Sequence, residues 1–505
     1  MKVILAGYNI DSEVIEELKR SSRPRQDITP ETLSAAYARI SRDPRPANEL
    51  RAIARAEVER SRRSNQNIIF KMGHHSVAEH AVFNFDIIGV SRLAMEEIEK
   101  FRLCSYTEKS QRYITLGDDF VLPEEIKRAN KEEIFTHTIR AQNALYHRLY
   151  QNLKPYFFEL NKDLAQDPKN HSLLDGWAKE DARYVVSLAT EGQLGITLNA
   201  RNLELLVRRF ASRELAELRE LNSRIYSLAK DVAPSIILFT EASDFDSKTY
   251  GEIAEEFQKK WKGSFLDEKH RRQSGDEFVQ LVDFTPDADD RLLASLLHTT
   301  SNFAFRDCLK EIQKLTPREK KRFFKLAFHC MEFYDFPLRE FEYVDLTFDL
   351  CLSAACYAQL KRHRMATLTA QRYNPDLGVT IPRSVEEIGA KSGFMEMIER
   401  TNEVYSNLKR DIGSAAEYIL TNAHRRRALL KVNARELYHI SRLREDATAQ
   451  WDIRDLAGSM SCLAKKVMPL TCLLLGGKDA YSGIYKKVLG KPPKSIPPII
   501  KSPKR

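Results

Sequence analysis

HAVFNFDIIGVSRLAMEEIEKFRLCSYTEKSQRY (80–113) and YVDLTFDLCLSAACYAQLKRHRMATLTAQRY (343–373) are two copies of one pattern. Each opens on alternating apolar residues, the period-2 signature of a half-buried strand. Each continues through a helical stretch and a basic turn into a polar loop that ends in Gln-Arg-Tyr. A second pair, LNARNLELLVRRF (198–210) and VNARELYHISRLR (432–444), follows in the same order. Two matches in one order mark an internal repeat. A prior of ~150 residues per domain would divide 505 residues into three. The repeat divides them instead into two copies of one α+β domain, 1–242 and 279–490. A charged connector, 243–278, joins them, and a basic Pro-rich tail, 491–505, follows.

Periodicity and propensity predict helices over about 127–165, 200–232, 309–330, 385–412 and 453–470. Strands are predicted at 2–6, 81–88, 279–284 and 343–349. This mixture predicts small sheets covered by many helices. The hydrophobic fraction is 43%, enough for sizeable cores. No apolar run approaches the ~20 residues of a membrane span, and the first twenty residues lack a cleavage signal and read as a strand and a helix. The seven cysteines include no CxxC pair, which argues against a disulfide framework or zinc site and for a reducing cytoplasm. The net charge of +9 suggests anionic partners, but five of those charges lie in the Pro-rich tail, predicted to be extended or disordered. No nucleic-acid-binding signature accompanies the charge, so no nucleic-acid partner is expected.

GHHSVAEH (73–80), followed by a strand, a helix and SYTEKSQRY (105–113), resembles the flavin-dependent thymidylate synthases, whose signature is RHRxxSxNExSxR. The N-terminal half keeps the distal part: Ser105, Glu108, Ser110 and Arg112. It has Lys100-Phe101 in place of the leading Arg-His, and Thr107 in place of Asn. The C-terminal half keeps Arg362-His363-Arg364 but shortens the loop to MATLTAQRY. Other features of the resemblance divide the same way. An expected Arg is Arg183 in the first half and Glu417 in the second. A second is Arg444 in the second half and Phe210 in the first. An expected Gln is Gln359 in the second half and Glu97 in the first. TAQWDIR (448–454) matches a further family motif, of which the first half has only a degraded RELAEL (213–218).

The losses are complementary. The family's sites lie at subunit interfaces, one subunit giving the loop and another the helix end. A site built from the N-terminal loop and the C-terminal helix would be nearly complete. The opposite pairing would carry Glu417, Glu97, Lys100 and Phe210 and should be dead. Undirected decay would not sort losses in this way.

The resemblance implies methylation of dUMP to dTMP with methylenetetrahydrofolate and NADPH as co-substrates and FAD as cofactor. It implies two tandem helix-rich domains with small antiparallel sheets, and a homodimer acting as a pseudo-tetramer. Ser110, Arg112 and Arg183 would hold the phosphate, because paired charge-assisted bonds suit it. Glu108, Gln359 and Arg362 would complete the nucleotide pocket. Arg444 would sit at the uracil carbonyls, where charge develops. Arg444 and Arg362 are the catalytic candidates. His363 and Arg364 would face the flavin, with His74, Ser76, Glu79, Asn433 and Arg435 as further FAD contacts.

Several weaker signals take structural readings. Adjacent His74 and His75 rarely share a metal, and no metal site is expected. Arg372 recurs opposite Arg112, so a structural role is open for it. Arg208 and Arg209 cannot stand in for an arginine at Phe210, because a one-residue shift turns a helix by ~100°. Pro337 and Arg339 replace His74 and Ser76 in the second half, which points to a lost flavin contact there. Thr107 and the shortened second loop motivate an alternative, a catalytically impaired or re-purposed FAD- or nucleotide-binding relative.

Overall fold

The computed structural model describes residues 1–20, 28–261 and 278–497. Two four-stranded antiparallel sheets carry it. The first contains β1 (Lys2–Tyr8), β2 (Val82–Ser91), β3 (Ser105–Glu108) and β4 (Glu191–Asn199), in the order β1-β2-β4-β3. The second contains β5 (Val279–Phe284), β6 (Asp345–Ser353), β7 (Thr367–Ala370) and β8 (Arg425–Asn433), in the order β5-β6-β8-β7. Registers match as well as order. Val82 faces Asn199 in one sheet, and Asp345 faces Asn433 in the other. The repeat read from sequence is therefore a repeat of topology. One difference is Gly89, where the register of β2 slips and φ is +73°. An extra residue in a strand makes a bulge, and a positive φ there favours glycine.

Six helices position the site: α1 (Arg92–Ile98), α2 (His171–Ala182), α3 (Ala200–Ala211), α4 (Ala354–Leu360), α5 (Ala434–Arg444) and α6 (Trp451–Val467). Their starts explain part of the repeat. Asn199 and Asn433 are N-caps, accepting from the backbone N–H of Asn202 (2.9 Å) and Glu436 (2.8 Å). Ser91 and Ser353 cap α1 and α4 in the same way. Side-chain oxygens at these positions satisfy otherwise orphaned N–H groups, and losing one costs ~1 kcal/mol.

Several predicted elements differ from those observed. Residues 200–232 form two helices, Ala200–Ala211 and Ala216–Ala229, and the 127–165 helix occupies Glu132–Leu160. Four strands escaped the sequence reading: β3, β4, β7 and β8. β8 begins Arg425-Arg426-Arg427, which reads as a solvated charge run. Arg426 is nevertheless buried, paired with Glu96 of the other half at 3.0 Å. In the connector, Asp244–Ser247 and Thr249–Lys260 are helical, while 262–277 lie outside the described residues, as do 498–505 of the tail.

The halves join about a pseudo-two-fold axis. Leu188 N–H donates to the Leu420 carbonyl, and Asn422 N–H donates to that of Val186. Ala189 and Tyr418 are bonded as Ala423 and Tyr184 are. Arg102 donates to the Arg364 carbonyl, and Arg364 donates to that of Arg102. Each half has its own apolar core, and further cores are shared. One joins Leu174, Trp177 and Tyr184 to Ala355 and Phe394, and another joins Phe135 and Leu188 to Leu408 and Tyr418.

Candidate active site

The pseudo-axis brings two different junctions together, each between the loop of one half and the helix end of the other. At the first junction the N-terminal loop meets the C-terminal helix end. Arg112 donates through Nη2 to the Thr448 carbonyl (3.2 Å) and through Nε to Glu180 (2.5 Å). Arg362 donates to the Tyr106 carbonyl (2.7 Å) and to buried Glu99, which also pairs with Lys361 at 2.9 Å. Arg444 donates from Nε to His363 Nε2 (2.9 Å) and from Nη2 to the Gln359 carbonyl (3.2 Å). Both halves thus meet in one chain, with Arg112, Arg183, Arg362 and Arg444 grouped.

The electrostatics show that these cations crowd one another. Burial, with Arg112 and Arg362 nearby, lowers the Arg444 pKa to about 10. Burial also lowers that of Arg183, with Arg112 and Arg92 adding to the effect and Glu180 opposing it. Burial alone would raise the Glu108 carboxyl, but Arg92, Lys361, Arg362 and Arg183 outweigh it and hold it below its usual range. A nearby cation favours the charged carboxylate in this way. Burial and Arg444 push His363 down to about 3, so its ring is neutral at physiological pH. Arg183 is 5% exposed, and its Nε and Nη2 are buried without a hydrogen-bond partner. Gln359 Oε1 is likewise unpartnered, while its amide donates to Gln450 at 3.2 Å. Buried donors and acceptors in native proteins are nearly always satisfied. At this junction the Arg183 fork and the Gln359 carbonyl thus keep hydrogen-bonding capacity that the protein does not use.

The second junction has the same plan and different chemistry. Glu417, in the place of Arg183, pairs with Arg372 at 3.2 Å, and Arg372 also reaches Glu214 at 2.8 Å. Phe210 packs edge-on against Phe101 at 5.7 Å, where Arg444 meets His363 at the first. Lys100 pairs with Glu97, and Glu97 with Arg213 at 3.2 Å. Arg208 and Arg209 both pair with Asp246, at 3.0 and 3.1 Å, and do not replace an arginine at Phe210. This junction encloses a cavity of about 490 Å³ whose charged walls neutralise one another.

The other candidate residues have other partners. Ser110 Oγ accepts from the Arg112 N–H at 3.2 Å, shaping the loop. Glu79 pairs with Arg201, and its counterpart Glu342 pairs with Arg435 at 3.0 Å, so this contact recurs in both halves. Asn433 serves as a helix cap. His74, Ser76 and Glu79 precede β2, whereas Arg92 follows it. Ten residues of strand separate these ends by ~30 Å, and Arg92 is the end that pairs with Glu108, at 3.5 Å.

The sequence reading missed a supporting set. Asp452 accepts from Tyr184 Oη (2.9 Å) and Ser353 Oγ (2.5 Å). Glu217 accepts from Tyr418 Oη (2.7 Å) and Ser91 Oγ (2.6 Å) in the same arrangement. RELAEL looks degraded, yet it keeps its carboxylate. Gln450 joins the set by donating to Tyr184 Oη at 2.7 Å.

Among the described residues, His363, Glu436 and His439 form a group whose ligand atoms lie within 4.8 Å of one another. Two imidazoles and a carboxylate can bind a transition metal. A guanidinium, however, can only donate. His363 Nε2 therefore accepts from Arg444, and the neutral ring carries its proton on Nδ1. No lone pair then faces Glu436.

A profile of the thymidylate synthase complementing protein family matches residues 26–235 and again 280–470. The chain belongs to this family. A flavin-dependent thymidylate synthase of Clostridium tetani is 31% identical over 180 residues, covering 35% of this chain and 70% of the relative. Another, of Geobacter sulfurreducens, is 34% identical over 173 residues, covering 33% of this chain and 65% of that protein. A UPF0159 protein of Chlamydia pneumoniae is 25% identical over 435 residues, covering 83% of this chain and 81% of its own length. These relatives thus match either about a third of the chain or most of it. No helix among the described residues is long and apolar enough to cross a membrane.

Proposed function

We propose that the chain methylates dUMP to dTMP in an FAD-dependent reaction, at one composite site per chain. The observation that carries this reading is the junction of Arg112 and Arg183 with Arg362 and Arg444, where Arg183 Nε and Nη2 make no hydrogen bond. A buried planar fork with free N–H groups suits a phosphate. Arg112 and Arg183 bind it there, with Glu180 as their counter-ion until the nucleotide arrives. Gln359 orients the base. Arg444 stands where a carbonyl of the pyrimidine gains negative charge, and donors aimed at such charge typically contribute a few kcal/mol. Bound FAD would supply the hydride chemistry, with NADPH and methylenetetrahydrofolate as co-substrates. Cys104 and Cys356 are no nucleophiles for this step, because burial raises both thiol pKa values. Neutral thiols attack poorly.

The flavin set fits in part. His363 adjoins Arg444, and Arg364 and Arg435 supply cations. His74, Ser76 and Glu79, at the far end of β2 from Arg92, would contact a flavin held by a second copy in a homodimer acting as a pseudo-tetramer. A second reading, an impaired FAD- or nucleotide-binding relative, draws on Arg364, which is turned to the Arg102 carbonyl (3.2 Å).

The test counts nucleotide. Calorimetric titration with dUMP should saturate at one equivalent per chain. Tritium release from 5-labelled dUMP, with NADPH and methylenetetrahydrofolate, should follow. Two equivalents per chain would refute the single composite site. One equivalent without tritium release would leave the second reading in force.

A further inference from the structure

We propose that Glu436 is a positioning residue that fixes the tautomer of His363 and, through that ring, aims the Arg444 guanidinium. The inference rests on the reading of Arg444 as the group at the pyrimidine. Glu436 stands two residues into α5, and Arg444 is the last residue of the same helix. His363 lies in the turn after α4, 4% exposed. Its Nε2 meets Arg444 Nε at 2.9 Å, while its Nδ1 faces Glu436 Oε1 at 3.5 Å and makes no hydrogen bond. The ring therefore bridges the two ends of the helix. A carboxylate facing Nδ1 favours the proton there, which leaves the Nε2 lone pair free to accept, and only that tautomer can receive an N–H from a guanidinium. The opposite tautomer would set two donors against each other and turn Arg444 away.

An internal comparison supports a joint role. At the second junction the positions of His363, Glu436, His439 and Arg444 hold Phe101, Asn202, Leu205 and Phe210. Asn202 turns to its own helix cap, donating to Asn199 Oδ1 at 2.8 Å. The acid, the ring and the guanidinium are kept together at one junction and replaced together at the other. Helix capping does not require the acid, because Asn199 and Asn433 cap both helices alike. The groups facing Glu436 are His363, His439, Arg435 and Arg102. Burial raises the Glu436 pKa and the cations oppose it.

The experiment uses the full, ligand-free chain labelled with ¹⁵N at histidine. Nitrogen shifts distinguish protonated from bare ring nitrogens. Wild type should carry His363 as the neutral Nδ1–H tautomer, and Glu436→Gln should keep it, because the amide oxygen still accepts. Glu436→Leu should lose it. Turnover of dUMP should fall by ~10- to 100-fold in Glu436→Leu, the range that loosened geometry costs, and return to within a few-fold in Glu436→Gln. Should the leucine variant fail to fold, Arg444→Met decides. With the Nε donor gone, Glu436 alone should hold the Nδ1–H tautomer. A flipped tautomer in Arg444→Met would overturn the proposal. So would wild-type tautomer and turnover in Glu436→Leu, or Zn²⁺ bound at a bare His363 Nδ1 in wild type. A chain that never turns over dUMP would refute the proposed function, and the ring tautomer would still decide the role of Glu436.

Discussion

Replacing Arg183 with methionine should stabilise the ligand-free protein and abolish its affinity for nucleotide. Arg183 is buried, its Nε and Nη2 make no hydrogen bond, and Glu180 stabilises its charge only at a distance. A buried unsatisfied donor costs about 1–3 kcal/mol, more for a charged group. Methionine fills similar space and carries no such groups. Glu180 stays neutralised in the variant by Arg112 at 2.5 Å. Ligand-free Arg183→Met should therefore unfold at higher denaturant, by about 1–3 kcal/mol. With nucleotide the sign reverses. Two charge-assisted bonds of roughly 1.5–3 kcal/mol each are lost, which at 1.4 kcal/mol per tenfold is more than about 100-fold in Kd. Wild type at a hundredfold excess of dUMP over Kd should gain about 2.7 kcal/mol, and the variant should gain almost none. Equilibrium unfolding in urea, with and without dUMP, reads both effects. A variant less stable without ligand, yet stabilised by dUMP as wild type is, would refute the argument and make Arg183 a structural partner of Glu180.

Glu417→Gln removes a charge from the second junction only, so kcat/KM should stay within about twofold, as expected for distant and uncoupled sites; a tenfold loss would place catalysis there as well. Glu96→Ala should cost ~3–5 kcal/mol, because it strips the carboxylate from Arg426 and leaves a buried unpaired cation. Its urea midpoint checks this, and a midpoint near wild type would show that Tyr373 and Tyr357, whose rings flank the guanidinium at 4.2 and 4.7 Å, hold it unaided. Burial takes His363 and His424 from 6.5 to about 3. Their folded pKa lies below the unfolded one, so the unfolded chain binds more protons between these values. Stability should fall as pH drops from about 6.5 to 3, by roughly 1.4 kcal/mol per pH unit for each ring. His424→Gln should remove about half of that slope in thermal melts, and an unchanged slope would assign it to other groups.

Much of this was legible in the chain because a duplication supplies its own control. Each half shows what the other has lost, and Phe210 opposite Arg444 or Glu417 opposite Arg183 can be read without coordinates. Local rules also reached β1, β2, β5 and β6, where an apolar run or alternation is plain. They failed at β8, whose leading arginines are buried only because Glu96 arrives from the other half. They failed for RELAEL too, where motif letters decayed while the carboxylate of Glu217 kept its serine and tyrosine partners.

The sequence by itself determined the duplicated topology and the division of polar groups between the halves, because strand alternation, helix caps and motif residues are local properties. Only the tertiary structure decided which groups meet. Arg112 reaches Thr448, and Arg362 reaches Tyr106, because the pseudo-two-fold pairing of 184–189 with 418–423 docks the N-terminal loop on the C-terminal helix end within one chain. It also decided that Arg183 is buried with free N–H groups while Glu417 is tied to Arg372. Partner geometry at these positions arises from contacts 45 residues apart for Arg372 with Glu417 and more than 200 apart for Arg112 with Thr448 and Arg362 with Tyr106, which no local pattern encodes.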